Sequence, residues 1–156
     1  MASGSVDLIT AGQAFHWFDR DDARVEFLRI LKLLGWVMLV WNERLETSPF
    51  LRDYERLLQT FSRDYDKVDH RRIDAEALAD FFGSANFNTK VYPNRQAFDL
   101  EGLEGRLLSS SYTPEPGDEL HLPMLAELRR IFAEHEVDGQ VVFEYQTTMY
   151  YGRLHS

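Results

Sequence analysis

Residues 12–18 read Gly-Gln-Ala-Phe-His-Trp-Phe, an order that could do chemistry at the rim of a binding site. Gly12 lets a ligand approach the backbone closely, Gln13 and His16 offer polar handles, and Phe15, Trp17 and Phe18 offer apolar walls. His16 can also take or give a proton near neutral pH. A second polar cluster, Asn42, Glu43 and Arg44, follows directly on the apolar run 36–41. Taken alone, a histidine among aromatics is more often packed than catalytic, and Glu43 with Arg44 more often a weak surface pair. Position separates the readings, because the carboxyl ends of parallel strands are where open α/β sheets bind ligands.

Other chemistries find little support. His70, His121, His135 and His155 are scattered without metal-ligand spacing and there is no cysteine, so no metal site and no disulfide is expected. Neither a Gly-x-Ser-x-Gly nucleophile elbow nor a Gly-x-x-x-x-Gly-Lys phosphate loop occurs. Hydrolase and nucleotidase readings lose most of their weight there.

Two strands and a helix must hold the polar clusters. Residues 6–11 form a short apolar strand. Asp19 caps a helix whose buried face is Ala23, Phe27, Ile30, Leu31 and Leu34 and which Gly35 ends. Residues 36–41 are continuously apolar, which predicts a strand covered on both faces. The three together are a βαβ unit that brings Gly12 and Asn42 onto one rim.

Ser48-Pro49 opens a helix with Leu51, Tyr54, Leu58 and Phe61 inward, followed by a polar loop over 62–72. Asp74 caps a shorter helix through Leu78, Phe81 and Phe82 that stops at Gly83. Residues 87–92 and 140–151 read as strands, placed as neighbours. Between them lie a helix with Leu100, Leu103, Leu107 and Leu108 inward, a turn over 113–117, and a helix with Leu125, Leu128 and Phe132 on one face. Tyr145, Tyr150, Tyr151 and Arg153 read as ordinary alternating strand residues. Residues 109–112 read equally as a lid or as a helix end.

The 156 residues, 44% hydrophobic and 28% charged, fit one soluble domain spanning 1–156. A net charge of -9 argues against a nucleic-acid surface. The longest apolar run, 33–41, is about half of a membrane span. Residues 1–5 lack a signal peptide's features and read as a tag remnant or translation start, so a cytoplasmic location is expected.

The strand and turn over 6–19, the helix residues 26–32 and the strand 35–42 resemble, in order and spacing, the second half of the class I S-adenosylmethionine-dependent methyltransferases, within them the methyltransferase type 11 group. The resemblance implies an α/β fold, a partial Rossmann-like sheet with a parallel βαβ unit and antiparallel C-terminal strands. It implies S-adenosylmethionine as cofactor and a small molecule as acceptor. Carried over residue by residue, Ala11, Gly12, Gln13, Phe15 and Trp17 would face the cofactor, His16 would be the candidate base, and Asn42, Glu43 and Arg44 would face the acceptor. Residues 99–122 would cover the substrate.

Two departures from the family pattern stand out. Leu33-Leu34-Gly35 replaces the family's Pro-Gly-Gly turn and is expected to lengthen the helix. The glycine-rich cofactor loop of the family's first strands has no counterpart in the 156 residues. The chain is thus expected to be a C-terminal portion that binds cofactor weakly or not at all alone, with the first strand's open edge paired in a homodimer. The alternative is a non-catalytic dimerisation or regulatory module built on the same half-fold. Residue types do not name the acceptor.

Overall fold

The computed structural model describes residues 1–63, 75–83 and 87–154. The predicted Asp74 cap and most of the predicted 62–72 loop lie outside the described residues. In chain order come β1 (Val6–Gly12), a 3-10 turn (Phe15–Trp17), α1 (Arg20–Ile30), β2 (Leu31–Arg44), α2 (Pro49–Phe61), α3 (Ala75–Phe82), β3 (Asn88–Phe98), α4 (Leu100–Leu108), α5 (His121–His135) and β4 (Val141–Gly152). The four strands form one sheet in the order β1-β2-β4-β3, with β1 and β2 parallel and the other pairings antiparallel. This is the mixed α/β architecture expected from the sequence, and β1 lies at one edge of it.

Three side-chain caps start helices, two of them, Asp19 and Ser48, where the sequence places a cap, and a third at Asp99, which the sequence reading did not single out. Asp19 accepts from the Asp22 N–H at 3.1 Å, Ser48 from the Leu51 N–H at 3.2 Å and Asp99 from the Gly102 N–H at 2.8 Å. Each satisfies a donor that has no partner inside the helix, a contribution of about 1 kcal/mol.

The chain divides into two compact units. The first comprises residues 1–43, 70–93 and 146–156. Its core packs Val37, Leu39 and Trp41 of β2 with Ala11 of β1, Phe15, and Leu78, Phe81 and Phe82 of α3. Among the described residues only one face of β2 is covered: Val37, Leu39 and Trp41 are buried, whereas Trp36 is exposed and Met38 and Val40 are half-buried. The prediction of a strand covered on both faces is therefore corrected. An unbroken apolar run carries no period, so it cannot report that alternate residues meet different surroundings.

The boundary between α1 and β2 is a second correction. Gly35 does not end the helix; α1 stops at Ile30, where Leu31 turns extended (φ -67°, ψ 140°). Val6 pairs with Leu31 and Leu8 with Trp36, so residues 32–35 bulge out of the ladder and do not add a helical turn. Leu33 at the crest is 99% exposed, and Leu34, expected on the buried face, is exposed too. Gly35 is needed for close approach: a Cβ there would lie 2.7 Å from Leu31 Cδ2, 3.0 Å from the Lys32 carbonyl oxygen and 3.2 Å from that of Asp7.

The second unit comprises residues 44–69 and 94–145. Phe143 of β4 is its centre, met edge-on by Phe50 at 5.2 Å, Tyr54 at 4.9 Å and Phe98 at 5.5 Å. Leu51, Tyr54 and Leu58 of α2, Leu103 and Leu107 of α4, and Met124 and Leu128 of α5 close around it, as their spacing predicts. Leu108, also expected inward, is exposed, because α4 ends there and its last residue turns off the buried stripe.

Candidate functional site

The parallel register sets Ala11 beside Leu39 and Gly12 beside Val40, so both strands end on one rim, as expected. Immediately past β1, Gln13 takes a left-handed conformation with φ 51°. Such a conformation in a residue with a Cβ stores about 1–3 kcal/mol and persists only when its surroundings hold it. Three contacts hold it. The Gln13 N–H donates to the Val40 carbonyl at 3.0 Å, the side-chain oxygen accepts from the Asn42 N–H at 2.9 Å, and the side-chain nitrogen reaches the Asn42 carbonyl at 3.5 Å. The Gln13 side chain thus continues the ladder between β1 and β2 after the β1 backbone has turned away.

That turn is the 3-10 helix of Phe15–Trp17, and it sorts the rings by depth. Phe15 points inward, 2% exposed, against Phe81 at 4.7 Å and Phe18 at 6.2 Å between ring centres. Trp17 points outward and is 75% exposed. The exposed His16 lies between two indoles, 4.7 Å from Trp17 and 5.9 Å from the buried Trp41. Gly12 is exposed, and a Cβ built there would meet nothing within 4 Å.

The Asn42 side chain is fixed by Thr147 of β4, whose hydroxyl donates to its Oδ1 at 2.8 Å. Glu43 is half-buried, and its charge joins burial in pushing the Tyr150 hydroxyl above the usual phenol range. Arg44 belongs to the second unit, where its guanidinium is bonded to Glu55 and lies 5.1 Å from the centre of the Tyr54 ring. The structure therefore gathers Gly12, Gln13, His16, Trp17 and Asn42 at one place in the first unit, buries Phe15 and Ala11 beneath it, and employs Arg44 elsewhere.

Sequence reading missed Thr147 and Trp41. A threonine in a β-rich run gives no sign of its partner, and the bond to Asn42 spans 105 residues.

No family model matches the chain. Over 60 residues it is 40% identical to an uncharacterized methyltransferase-like protein of Schizosaccharomyces pombe, and over 55 residues 42% identical to an uncharacterized methyltransferase of the same organism. Those stretches are 38% and 35% of this chain, and the chain spans only 23% and 22% of the length of these relatives. A solved structure assigned as a type II methyltransferase of Anaeromyxobacter dehalogenans superposes on 99% of the chain and 67% of its own, with a TM-score of 0.61 at 14% identity. The chain is similar over those stretches to two proteins named as methyltransferases, and its fold is similar to that of a solved methyltransferase. At that identity the solved structure speaks for the fold, and the two yeast proteins speak for the sequence relationship.

At the rim the space that a side chain on Gly12 would fill is open. The described residues otherwise include one clustering of metal-type ligands, Asp53, Glu134 and His135 on the second unit. Its Asp53 is already bound by the His135 imidazole at 2.7 Å and by Arg56 at 2.6 Å. No helix among the described residues is long and apolar enough to cross a membrane.

Proposed function

We infer that these residues serve an S-adenosylmethionine-dependent methyltransferase acting on a small molecule. The observation that carries this reading is the rim where β1 and β2 end in parallel, with Gln13 bracketing Asn42 and the His16 ring in contact with the rings of both Trp17 and Trp41. Gly12 and Trp17 would hold the cofactor, Gly12 by leaving its backbone open and Trp17 by offering an exposed indole face. When bound, S-adenosylmethionine supplies an electrophilic methyl group on a sulfonium.

The residues of the chain contribute position and dryness. Gln13 and Thr147 hold Asn42 in one orientation, so its side chain presents fixed polar atoms to an acceptor. Trp17 shields the reacting atoms from water. His16, exposed at the rim, removes a proton from an acceptor that must lose one, a role worth about 10²–10⁴ in rate. The test is methyl transfer from radiolabelled S-adenosylmethionine by the full-length gene product. His16→Ala is expected to lower kcat at least tenfold and Trp17→Ala to raise KM for the cofactor; unchanged constants in both variants would sink the reading. Calorimetry on the 156 residues alone is expected to give weak or no cofactor binding.

The exposed apolar face of the first unit favours a second reading, a dimerisation or regulatory scaffold. Leu8, Trp36, Met38, Tyr92 and Tyr151 line a groove of about 280 Å³ there, and among the described residues β1 has a strand partner on one side only. Under it a second copy pairs along β1, and light scattering should return twice the 18.3 kDa of the chain. A monodisperse monomer at micromolar concentration rejects it.

A further inference from the structure

The sheet of the first unit has two faces, and the described residues cover them unequally. On one, Leu78, Phe81 and Phe82 of α3 meet Val37, Leu39 and Trp41 of β2. On the other, Leu8 of β1, Trp36 and Met38 of β2, Tyr92 of β3, and Met149 and Tyr151 of β4 line the groove of about 280 Å³. Leu8 is 51% exposed, Tyr92 46% and Trp36 37%. Large apolar side chains from all four strands gathered at one groove are more than scattered surface hydrophobics, and such a patch marks a place where another molecule docks.

Charge narrows what docks. The chain carries 26 acidic against 17 basic residues, yet among the described residues the groove is lined by Lys90 and by no carboxylate. At its Trp36 end the guanidinium carbon of the exposed Arg153 lies 5.1 Å from the centre of the Trp36 ring. In the same unit Lys32 is answered by Asp7 at 2.8 Å and Arg29 by Glu26 at 2.6 Å, whereas among the described residues neither Lys90 nor Arg153 pairs with a carboxylate. An occupant with an apolar stripe between acidic edges suits both the groove and its cations. The same face of a second copy does not, because pairing about a two-fold axis sets cations against a surface that offers no carboxylate in return. A nucleic acid or an anionic membrane is repelled by the net charge of -9.

We propose that this face docks an amphipathic α-helix of a partner polypeptide, its apolar stripe seated on Trp36, Met38, Met149 and Tyr151 and its acidic flanks meeting Lys90 and Arg153. Sheets in α/β folds bury their faces against helices, and a helix with its side chains is about 10 Å across. Met38 and Met149, unbranched and polarizable, adapt to a helix surface of varied outline. A strand would pair instead with the β1 edge, which is a separate surface. The docking face stands independently of methyl transfer and of pairing along β1.

Titration of the chain with three designed helical peptides tests this, followed by calorimetry and by the Trp36 indole N–H resonance. The first peptide carries a leucine stripe flanked by glutamates, the second the same stripe flanked by lysines, and the third glutamate flanks with glutamine in place of the stripe. The first is expected to bind saturably and to shift Trp36, with the other two at least tenfold weaker. Lys90→Glu combined with Arg153→Glu should weaken the first peptide at least tenfold and turn the preference toward the lysine-flanked one. Both positions are exposed, so the double variant keeps the fold. Absence of saturable binding, equal binding of the two striped peptides, or an unchanged preference in the double variant would each overturn the proposal. A dimer of the chain that dissociates as peptide binds would give the face to a second copy and overturn it as well. No methyl donor is present, so these results stand whether or not methyl transfer is later found.

Discussion

Gln13 grips the backbone of Asn42 from both sides, accepting its N–H at 2.9 Å and reaching its carbonyl at 3.5 Å. One side chain thereby ties together the ends of two parallel strands at the point where β1 leaves the sheet, and it does so from a left-handed backbone. Gln13→Ala loses the bracket and keeps the strain, so it should cost about 1–2 kcal/mol. Gln13→Gly loses the bracket but relaxes the backbone and should cost less. Urea unfolding of both variants checks the order; equal or reversed values would show that the bracket and the strain are not coupled.

Gly35 makes the tight passage from α1 into β2. A methyl group there meets Leu31 Cδ2 at 2.7 Å and two backbone oxygens at 3.0 and 3.2 Å, and the backbone cannot yield as a side-chain end can. Gly35→Ala should lower stability by about 1–3 kcal/mol. Adding Leu31→Ala should not restore it, since the oxygens remain. Thermal melts of the single and double variants measure this.

Arg44 and Glu55 form a largely buried pair, their side chains 16% and 4% exposed. Removing one partner strands the other charge. Glu55→Leu is expected to cost about 3–5 kcal/mol, and the double variant Arg44→Met with Glu55→Leu to recover most of it. A double-mutant cycle in denaturant gives the coupling directly; additive costs would mean that the charges are independently solvated.

Asp53 reports on acid stability. The hydrogen bond from His135, helped by the charge of Arg56, holds its carboxyl below the ordinary value of 3.8. A carboxyl lowered in the folded state stabilises the fold above its ordinary value and loses that contribution as pH falls from there through its folded value. Wild type and Asp53→Asn should therefore differ most at neutral pH and converge as the pH falls below the ordinary value of 3.8 and through the lowered folded one. Unfolding free energies across pH 2–7 make the comparison, and a gap that widens on acidification would contradict it.

The sequence by itself determined what lies within a few residues of its cause. Asp19, Ser48 and Asp99 start their helices through bonds three residues long, and Leu51, Tyr54 and Leu58 mark a helix face by their spacing alone. The glycine turn and the order strand, helix, strand likewise gave the parallel pair and its shared rim. Tertiary structure decided whatever depends on a partner far along the chain. It turned Gly35 from a helix stop into a close-packed bulge, left one face of β2 less covered than the other among the described residues, and sent Phe15 under the site and Trp17 over it. Asn42 met Thr147 across 105 residues, and Arg44 joined Glu55 instead of the rim. Tyr145, an ordinary strand residue in the one-dimensional pattern, became a buried ring 5.6 Å from the Arg106 guanidinium carbon. The physical reason is range: caps and periodicity act over a single turn or pleat, whereas burial and ion pairing depend on which surface arrives opposite, and residue type does not encode that.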